Sequence, residues 1–175
     1  MTAKQIEDSL NQNKLQLSFC DKANHFGIVI FCCFISACGA FLPKDHFNIY
    51  FVIVPALIGL LFYIIQSNRL HFKEIHTTLS RQELGDVIKK IGHELEWHIA
   101  KTASKYLIAK TDPPFVSGSW GEQITILFDK DRVLVNSICD PGKKSSVVSM
   151  GRNKKNMRRL IEEIEAANRT FVTTT

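Results

Sequence analysis

The residues most able to do chemistry in this sequence form a cluster of cations late in the chain. Residues 143–159 contain seven basic side chains and no acidic one, in a chain of 175 residues with net charge +5. Because seven of the 22 basic residues lie here, the basic character is local. A local cationic patch favours a local anionic partner. The candidate anion-binding or partner-binding residues are Lys143, Lys144, Arg152, Lys154, Lys155, Arg158 and Arg159.

The stretch GRNKKNMRRL, residues 151–160, places part of this cluster at the start of a helix. Gly151 permits a tight turn, and Asn153 can cap the helix. Backbone N–H groups at a helix start attract an anion, whereas cationic side chains there oppose the helix dipole unless an anion offsets them. Two interpretations stay open: an anion-binding edge, or the charged outer face of an amphipathic helix.

The other reactive side chains form no recognisable catalytic or metal-binding pattern. His71 and His76, like His93 and His98, are five residues apart and do not form a metal-binding pair. The five cysteines show no CxxC spacing, which predicts neither a disulfide framework nor a structural zinc site. Cys139 lacks a local nucleophile signature. The sequence therefore predicts no catalytic residue, no metal and no cofactor, and disfavours an enzyme.

Phe115 and Trp120 form a further candidate binding surface, within PPFVSGSWGE (residues 113–122). The glycines and serines of this stretch match no phosphate-binding loop pattern. The simpler interpretation is that the two aromatic rings cover one end of a sheet.

Two uncharged apolar stretches precede residue 67. FGIVIFCCFISACGAFL covers residues 26–42, and FNIYFVIVPALIGLLFYII covers residues 47–65. As helices they are about 25 to 30 Å long, close to the hydrocarbon thickness of a bilayer. Since the connection at Pro43–His46 is too short for a domain, a transmembrane helical hairpin is predicted over residues 26–66, after a polar N-terminal tail at 1–25.

The basic residues that flank the spans orient the hairpin. The connecting loop holds Lys44 alone, whereas six basic residues flank the outer ends: Lys4, Lys14, Lys22, Arg69, Lys73 and Arg81. The positive-inside rule therefore predicts that both termini are cytoplasmic. A cleaved signal peptide is the rival interpretation, but residues 1–25 are polar and a second apolar stretch follows directly.

The polar remainder predicts a small α+β domain. Ser80 and Glu83 form a capping box before apolar residues at helical spacing, which predicts a helix over about 81–94. WHIAKT, KYLIAKT, EQITILFD and RVLVNSI are typical of strands, SSVVSM is a further strand candidate, and a last helix is predicted over about 153–168. Consecutive hairpins indicate an antiparallel sheet of four or five strands with two helices on one face. The predicted organisation is a linker at 67–79, a cytosolic domain at 80–168 and a tail at 169–175.

Three segments of this domain, SWGEQITILF, VLVNSICDP and GRNKKN, resemble parts of a small α/β domain attached to membrane segments in uncharacterised bacterial proteins. The similar features are a Trp-Gly pair before a strand and a GxNKKN pattern before the last helix, within residues 80–168. The resemblance implies a bacterial source, and hence the inner membrane, but no activity or ligand.

The combined prediction is a two-pass membrane protein that tethers a cytosolic binding module. Its expected partners are the bilayer, anionic lipid headgroups or an acidic protein at the basic edge, and a second copy through the spans. Nucleic acid is disfavoured, because a basic patch without aromatic platforms is weak support for it. A ligand-gated membrane effector that senses a nucleotide or other phosphate ligand is the alternative, by analogy of layout. An enzyme without a recognisable motif is a second alternative.

Overall fold

The computed structural model describes residues 1–41, 48–114, 119–143, 146 and 149–174. Within these ranges the chain forms six helices and five strands. The helices are α1 (Ala3–Gln12), α2 (Phe19–His25), α3 (Gly27–Ala40), α4 (Tyr50–Arg69), α5 (Arg81–Glu94) and α6 (Arg152–Thr174). The strands are β1 (Lys73–His76), β2 (His98–Thr102), β3 (Tyr106–Lys110), β4 (Glu122–Asp129) and β5 (Arg132–Cys139).

The five strands form one antiparallel sheet in the order β1-β5-β4-β3-β2, which confirms the predicted α+β class. In the centre of the sheet, Ile126 lies between Leu107 of β3 and Val135 of β5. One of the five strands, β1, was not predicted as a strand. β1 pairs with β5 and lies within residues 67–79, for which the sequence predicted a linker. The other strand candidate, SSVVSM, falls partly outside the described residues.

One face of the sheet packs against α5 and α6, as predicted. The bounds of α5 match the predicted helix, and Ser80 and Glu83 cap its start reciprocally. Alternate residues of β4 and β5 point into this core, because successive side chains of a strand face opposite sides. The buried core on this face includes Leu84, Ile88, Ile91, Ile124, Ile126, Val133, Val135, Leu160 and Ile164.

The C-terminal helix is longer than predicted. It runs to Thr174, so residues 169–174 continue α6 where the sequence predicted a tail. No glycine or proline follows Asn168 to end the helix. Asn168 also ties α6 to the end of β1: its side-chain oxygen accepts from the Thr77 hydroxyl at 2.7 Å, and its amide donates to the His76 carbonyl at 3.2 Å.

The opposite face of the sheet is covered by the N-terminal segment, which the sequence predicted to be a polar tail. Residues 1–25 contain α1 and α2, each with a side-chain cap, from Thr2 and Ser18 respectively. Leu15, 3% exposed, enters a second buried cluster on this face. The other buried members of that cluster are Leu70, Phe72, Leu127, Leu134 and Ile138.

The two apolar stretches form the helices α3 and α4, which pack against each other in antiparallel directions. Ser36 donates to the Val52 carbonyl at 2.8 Å, and the rings of Phe26 and Tyr63 lie 5.7 Å apart at the other end of the pair. The approach is close, because a Cβ added at Gly39 would lie 3.0 Å from the Phe51 carbonyl oxygen.

The helical hairpin as predicted, with two membrane spans, is not confirmed. Only α4, with 20 residues, is long and apolar enough to cross a membrane by itself within the described residues. The 14 residues of α3 are about 21 Å long, less than the hydrocarbon core. Taken together, α2 and α3 are long and apolar enough to cross a membrane, but the two helices are bent by 68° relative to each other. The predicted connection at Pro43–His46 lies outside the described residues.

The end of α4 is fixed to the sheet by hydrogen bonds from two directions. The Asn136 side-chain amide, on β5, donates to the carbonyl oxygens of Arg69 at 2.8 Å and His71 at 2.9 Å. From the N-terminal segment, Leu15 N–H donates to the Leu70 carbonyl at 2.8 Å, and Phe72 N–H donates to the Asn13 carbonyl at 3.1 Å. The segment between α4 and β1 is therefore held on both sides.

Replacing Asn136 tests this junction. Asn136→Leu removes the donor to two carbonyl oxygens at a fully buried position, which costs about 1–3 kcal/mol of unfolding free energy. For a chain of this length, we expect the melting temperature of the full chain in maltoside micelles to fall by about 5 °C. The matched control is Asn11→Leu, at an exposed position of α1, which should change it by less than about 1 °C. Equal melting temperatures for the two variants would contradict the role of Asn136.

Candidate functional site

Arg152, at the start of α6, forms a partly buried ion pair at one end of the sheet. Its Nε atom lies 3.0 Å and 3.1 Å from the two carboxylate oxygens of Glu122, a residue with no solvent exposure. Glu122 also accepts from the hydroxyls of Ser119, at 2.6 Å, and Thr111. A buried carboxylate is stable only when it is paired and hydrogen-bonded, so Arg152 compensates a buried charge.

Three other predicted binding residues are also engaged within the protein. Arg159 makes a bidentate contact with Glu94, at 3.0 Å and 2.8 Å, which joins α6 to the end of α5. The guanidinium lowers the pKa of the Glu94 carboxyl, and Glu94 raises the pKa of Arg159. Arg158 pairs with Glu162 at 3.3 Å, and Lys143 pairs with Asp112. These contacts lie at the surface, where each is worth less than about 1 kcal/mol.

Lys154 and Lys155 are exposed and lie on different sides of α6. Lys155 lines a small recess of about 210 Å³ together with Glu94, Glu96 and Arg152, so cations and anions are balanced there. Lys154 lines a larger cleft on the other side of the helix start. Of the seven predicted residues, four have acidic partners within the protein, and Lys144 lies outside the described residues, so their role as one binding surface stays a prediction.

The cleft beside Lys154 has a volume of about 540 Å³ and is formed by three elements. The end of α4 contributes Arg69, the start of β1 contributes Lys73, and α6 contributes Lys154. None of the described residues that line the cleft is acidic. The remaining lining residues are polar or apolar: Asn68, His71, Phe72, Ser137, Ser149, Met150, Gly151, Asn153 and Met157.

Two of the cleft cations were missed as site residues. In the sequence analysis, Arg69 and Lys73 were used only to orient the predicted spans. The stretch RLHFK, residues 69–73, nevertheless has basic or imidazole side chains at three alternate positions. In an extended segment that spacing would put His71 and Lys73 on one side, whereas Arg69 is the last residue of α4. What could not be read from the sequence is that this segment lies beside the start of α6, about eighty residues later.

The two candidate aromatic residues are not part of this cleft. Phe115 lies outside the described residues. Trp120 is 40% exposed, precedes β4 and is not among the residues that line the cleft. The prediction that these rings form a binding surface therefore stays a prediction.

No group of three or more His, Cys, Asp or Glu side chains in the described part of the chain could hold a metal ion. Cys139 is buried at the end of β5, and this burial raises the pKa of its thiol. Because the thiolate is the reactive form, a raised pKa works against a nucleophilic role.

No known family model, curated protein or solved structure matches this chain. The resemblance to membrane-attached bacterial domains stays a prediction.

Because Arg152 pairs with Glu122, replacing Arg152 should lower the stability of the fold more than replacing the nearby Lys155. Arg152→Met leaves a fully buried carboxylate without its counter-charge, which costs about 3–5 kcal/mol. We expect the melting temperature of the full chain in maltoside micelles to fall by roughly 10 °C. Lys155→Met, three residues on at an exposed position, should lower it by no more than about 2 °C.

The double variant Glu122→Met with Arg152→Met provides the internal control. Removing both charges leaves no unpaired carboxylate, so part of the lost stability should return. If Arg152→Met is no more harmful than Lys155→Met, the ion pair does not support the fold, and Arg152 becomes a candidate for ligand binding again.

Proposed function

We propose that this protein is an integral membrane protein that holds its α+β domain against the anionic surface of a bilayer. The observation that carries the proposal is the exterior of α4: only 11% of its apolar stretch is buried within the protein. An apolar surface of this extent is unfavourable in water and needs a cover. The exposed large apolar residues of α3 and α4 include Phe31, Phe34, Phe51, Leu57, Leu60, Leu61 and Ile64.

The packing of α3 on α4 supports a hairpin with both outer ends on the side of the sheet. His25 and Gln66, at those ends, exchange hydrogen bonds: the Gln66 amide donates to the His25 carbonyl at 2.8 Å, and a His25 ring nitrogen lies 3.1 Å from the Gln66 carbonyl oxygen. Asn24 of α2 donates to the Pro141 carbonyl at 3.1 Å, which holds α2 to the domain. We place the domain and both termini in the cytoplasm of a bacterium, at the inner membrane.

The position of the cleft lined by Arg69, Lys73 and Lys154, beside the end of α4, supports contact with such a membrane surface. Arg69 follows Ile65, the last residue of the apolar stretch, by four residues, or about 6 Å of helix. The headgroup layer on each side of the hydrocarbon core is about 5 to 7 Å thick, so Arg69 reaches that layer and Lys73 follows it. Each basic side chain near an anionic surface contributes about 1 kcal/mol of attraction. The domain is therefore proposed to be a binding module for anionic lipid rather than an enzyme.

Cysteine accessibility tests the membrane assignment. Cys33 and Cys38 lie on the exposed side of α3, Cys20 is exposed on α2, and Cys139 is buried. Variants that keep Cys139 and one of the three exposed cysteines are treated with a water-soluble maleimide in inside-out inner-membrane vesicles. Because maleimides react with the thiolate, which forms only in water, we expect labelling at Cys20 and none at Cys33 or Cys38.

The same vesicles dissolved in dodecyl sulfate are the control, where all three cysteines should react. Labelling of Cys33 or Cys38 in intact vesicles at the rate of Cys20 would show that α3 faces water and would rule out the proposed hairpin.

A further inference from the structure

We propose that α2 is an interfacial helix, which lies along the membrane surface and inserts Phe19 into the boundary between headgroups and acyl chains. The inference rests on the proposed function, because it requires α3 and α4 to lie in a bilayer. It adds a second place at which the domain contacts lipid. The partner of the exposed side of α2 is thus the lipid interface.

The first argument is the distribution of side chains around α2. Asp21 and His25, four residues apart, share one side of the helix, and His25 is 4% exposed. Phe19 and Ala23 share the opposite side and are exposed, Phe19 to 87%. The helix therefore turns a polar side to the protein and an aromatic ring away from it, the reverse of a surface helix in water. This arrangement is favourable where the exposed side meets an apolar phase.

The second argument is the direction of α2. The helix is bent by 68° relative to α3, and its 7 residues are about 10 Å long. It therefore adds only about 4 Å along the axis of α3, and it runs mainly along the surface of a membrane that α3 enters. A course through the hydrocarbon is unfavourable, because the helix carries Asp21 and Lys22.

The third argument is the level at which α2 joins the two apolar helices. The ring of Phe26, between α2 and α3, lies 5.7 Å from the ring of Tyr63, near the end of α4. Tyr63 is 52% exposed, and tyrosine is enriched at the membrane interface, where its ring is among apolar groups and its hydroxyl reaches water. Lys22, one turn before Phe26, is also exposed and can extend its ammonium group into that water. Both apolar helices therefore place α2 at the interface.

The position of α2 also affects the sheet. Asn24 donates to the carbonyl of Pro141, two residues after the end of β5, at 3.1 Å. A helix held in the interface therefore keeps this end of the sheet close to the bilayer. The domain is then attached at two places, through α2 and through the junction of α4 with β1, and two attachments limit its tilt.

The depth of Phe19 tests the inference. Three variants of the full chain each carry one nitroxide, at Phe19→Cys, Gln82→Cys or Leu57→Cys, in a background that lacks the three exposed cysteines of α2 and α3 and keeps the buried Cys139. Gln82 is exposed on α5, and Leu57 is 61% exposed near the middle of α4. In phosphatidylglycerol-containing nanodiscs, electron paramagnetic resonance measures collisions of each label with oxygen, which is concentrated in hydrocarbon, and with a water-soluble nickel chelate.

We expect the ratio of oxygen to nickel collisions at Phe19 to lie between the ratios at Gln82 and Leu57. A ratio equal to that at Gln82 would mean that this side of α2 faces water. A ratio equal to that at Leu57 would mean that α2 is part of a bent span, and either result would overturn the inference. Equal ratios at Leu57 and Gln82 would instead contradict the proposed function itself, so the two failures can be distinguished.

Matched substitutions then test the role of the aromatic ring. A nitroxide on the native Cys20, with Cys33 and Cys38 replaced, reports the depth of α2 beside Phe19. The short Cys20 side chain stays at the hydrated headgroup level, where thiol reagents reach it. Phe19→Glu should shift this label to the nickel accessibility measured at Gln82, because an ionised carboxylate stays in water.

Phe19→Trp is the conservative control and should leave the Cys20 label at its original depth, because tryptophan also favours the interface. Since Phe19 is 87% exposed, neither substitution removes packing within the protein. Equal nickel accessibility of Cys20 in the two variants would show that the ring does not anchor α2 and would overturn the proposal.

Discussion

The hydrogen bonds between Asn136 and the carbonyl oxygens of Arg69 and His71 determine how the apolar helix meets the sheet. The last carbonyls of any α-helix lack partners within the helix, and they must be satisfied by water, a cap or another element. Here a fully buried amide on β5 satisfies one of them and a carbonyl beyond the helix end as well. Because β1 begins two residues after His71, the direction in which the chain enters the sheet is set at the same point. The N-terminal segment fixes the other side of this junction, so α4 does not end in a flexible linker.

A second constraint divides the basic cluster. Glu122 has no solvent exposure, and its carboxylate is paired with Arg152, whose side chain is 31% exposed. Arg159 is similarly occupied by Glu94, where it joins the two helices that cover the sheet. Lys154 and Lys155 are exposed on different sides of α6, and Lys154 lines a cleft together with Arg69 and Lys73. Part of the basic cluster is thus used for ion pairs within the protein.

The sequence predicted well the parts of the fold that depend on local rules. The bounds of α5 follow from the capping box of Ser80 and Glu83, and the hairpin of β4 and β5 follows from alternation around a short polar turn. β1 was missed because it has four residues, of which only Ile75 is buried, so its hydrophobic signal is too weak to separate it from a linker. The N-terminal segment was missed for a related reason: only Leu15 of its apolar residues is deeply buried, and the face that it covers is created by the sheet.

The candidate site was hard to predict because it is defined by pairing between distant segments. Lys73 and Lys154 line the same cleft through the β1–β5 pairing and the return of the chain to the start of α6. Sequence clustering grouped Lys154 with Lys155, Arg158 and Arg159, but a helix turns about 100° per residue and sends adjacent side chains to different surroundings. Lys154 and Lys155 show this most directly, since one lines a cleft without acidic residues in its described lining and the other lies beside Glu94 and Glu96. A charge cluster in a helical sequence therefore indicates a binding site only after each charge has been assigned to its own side of the helix.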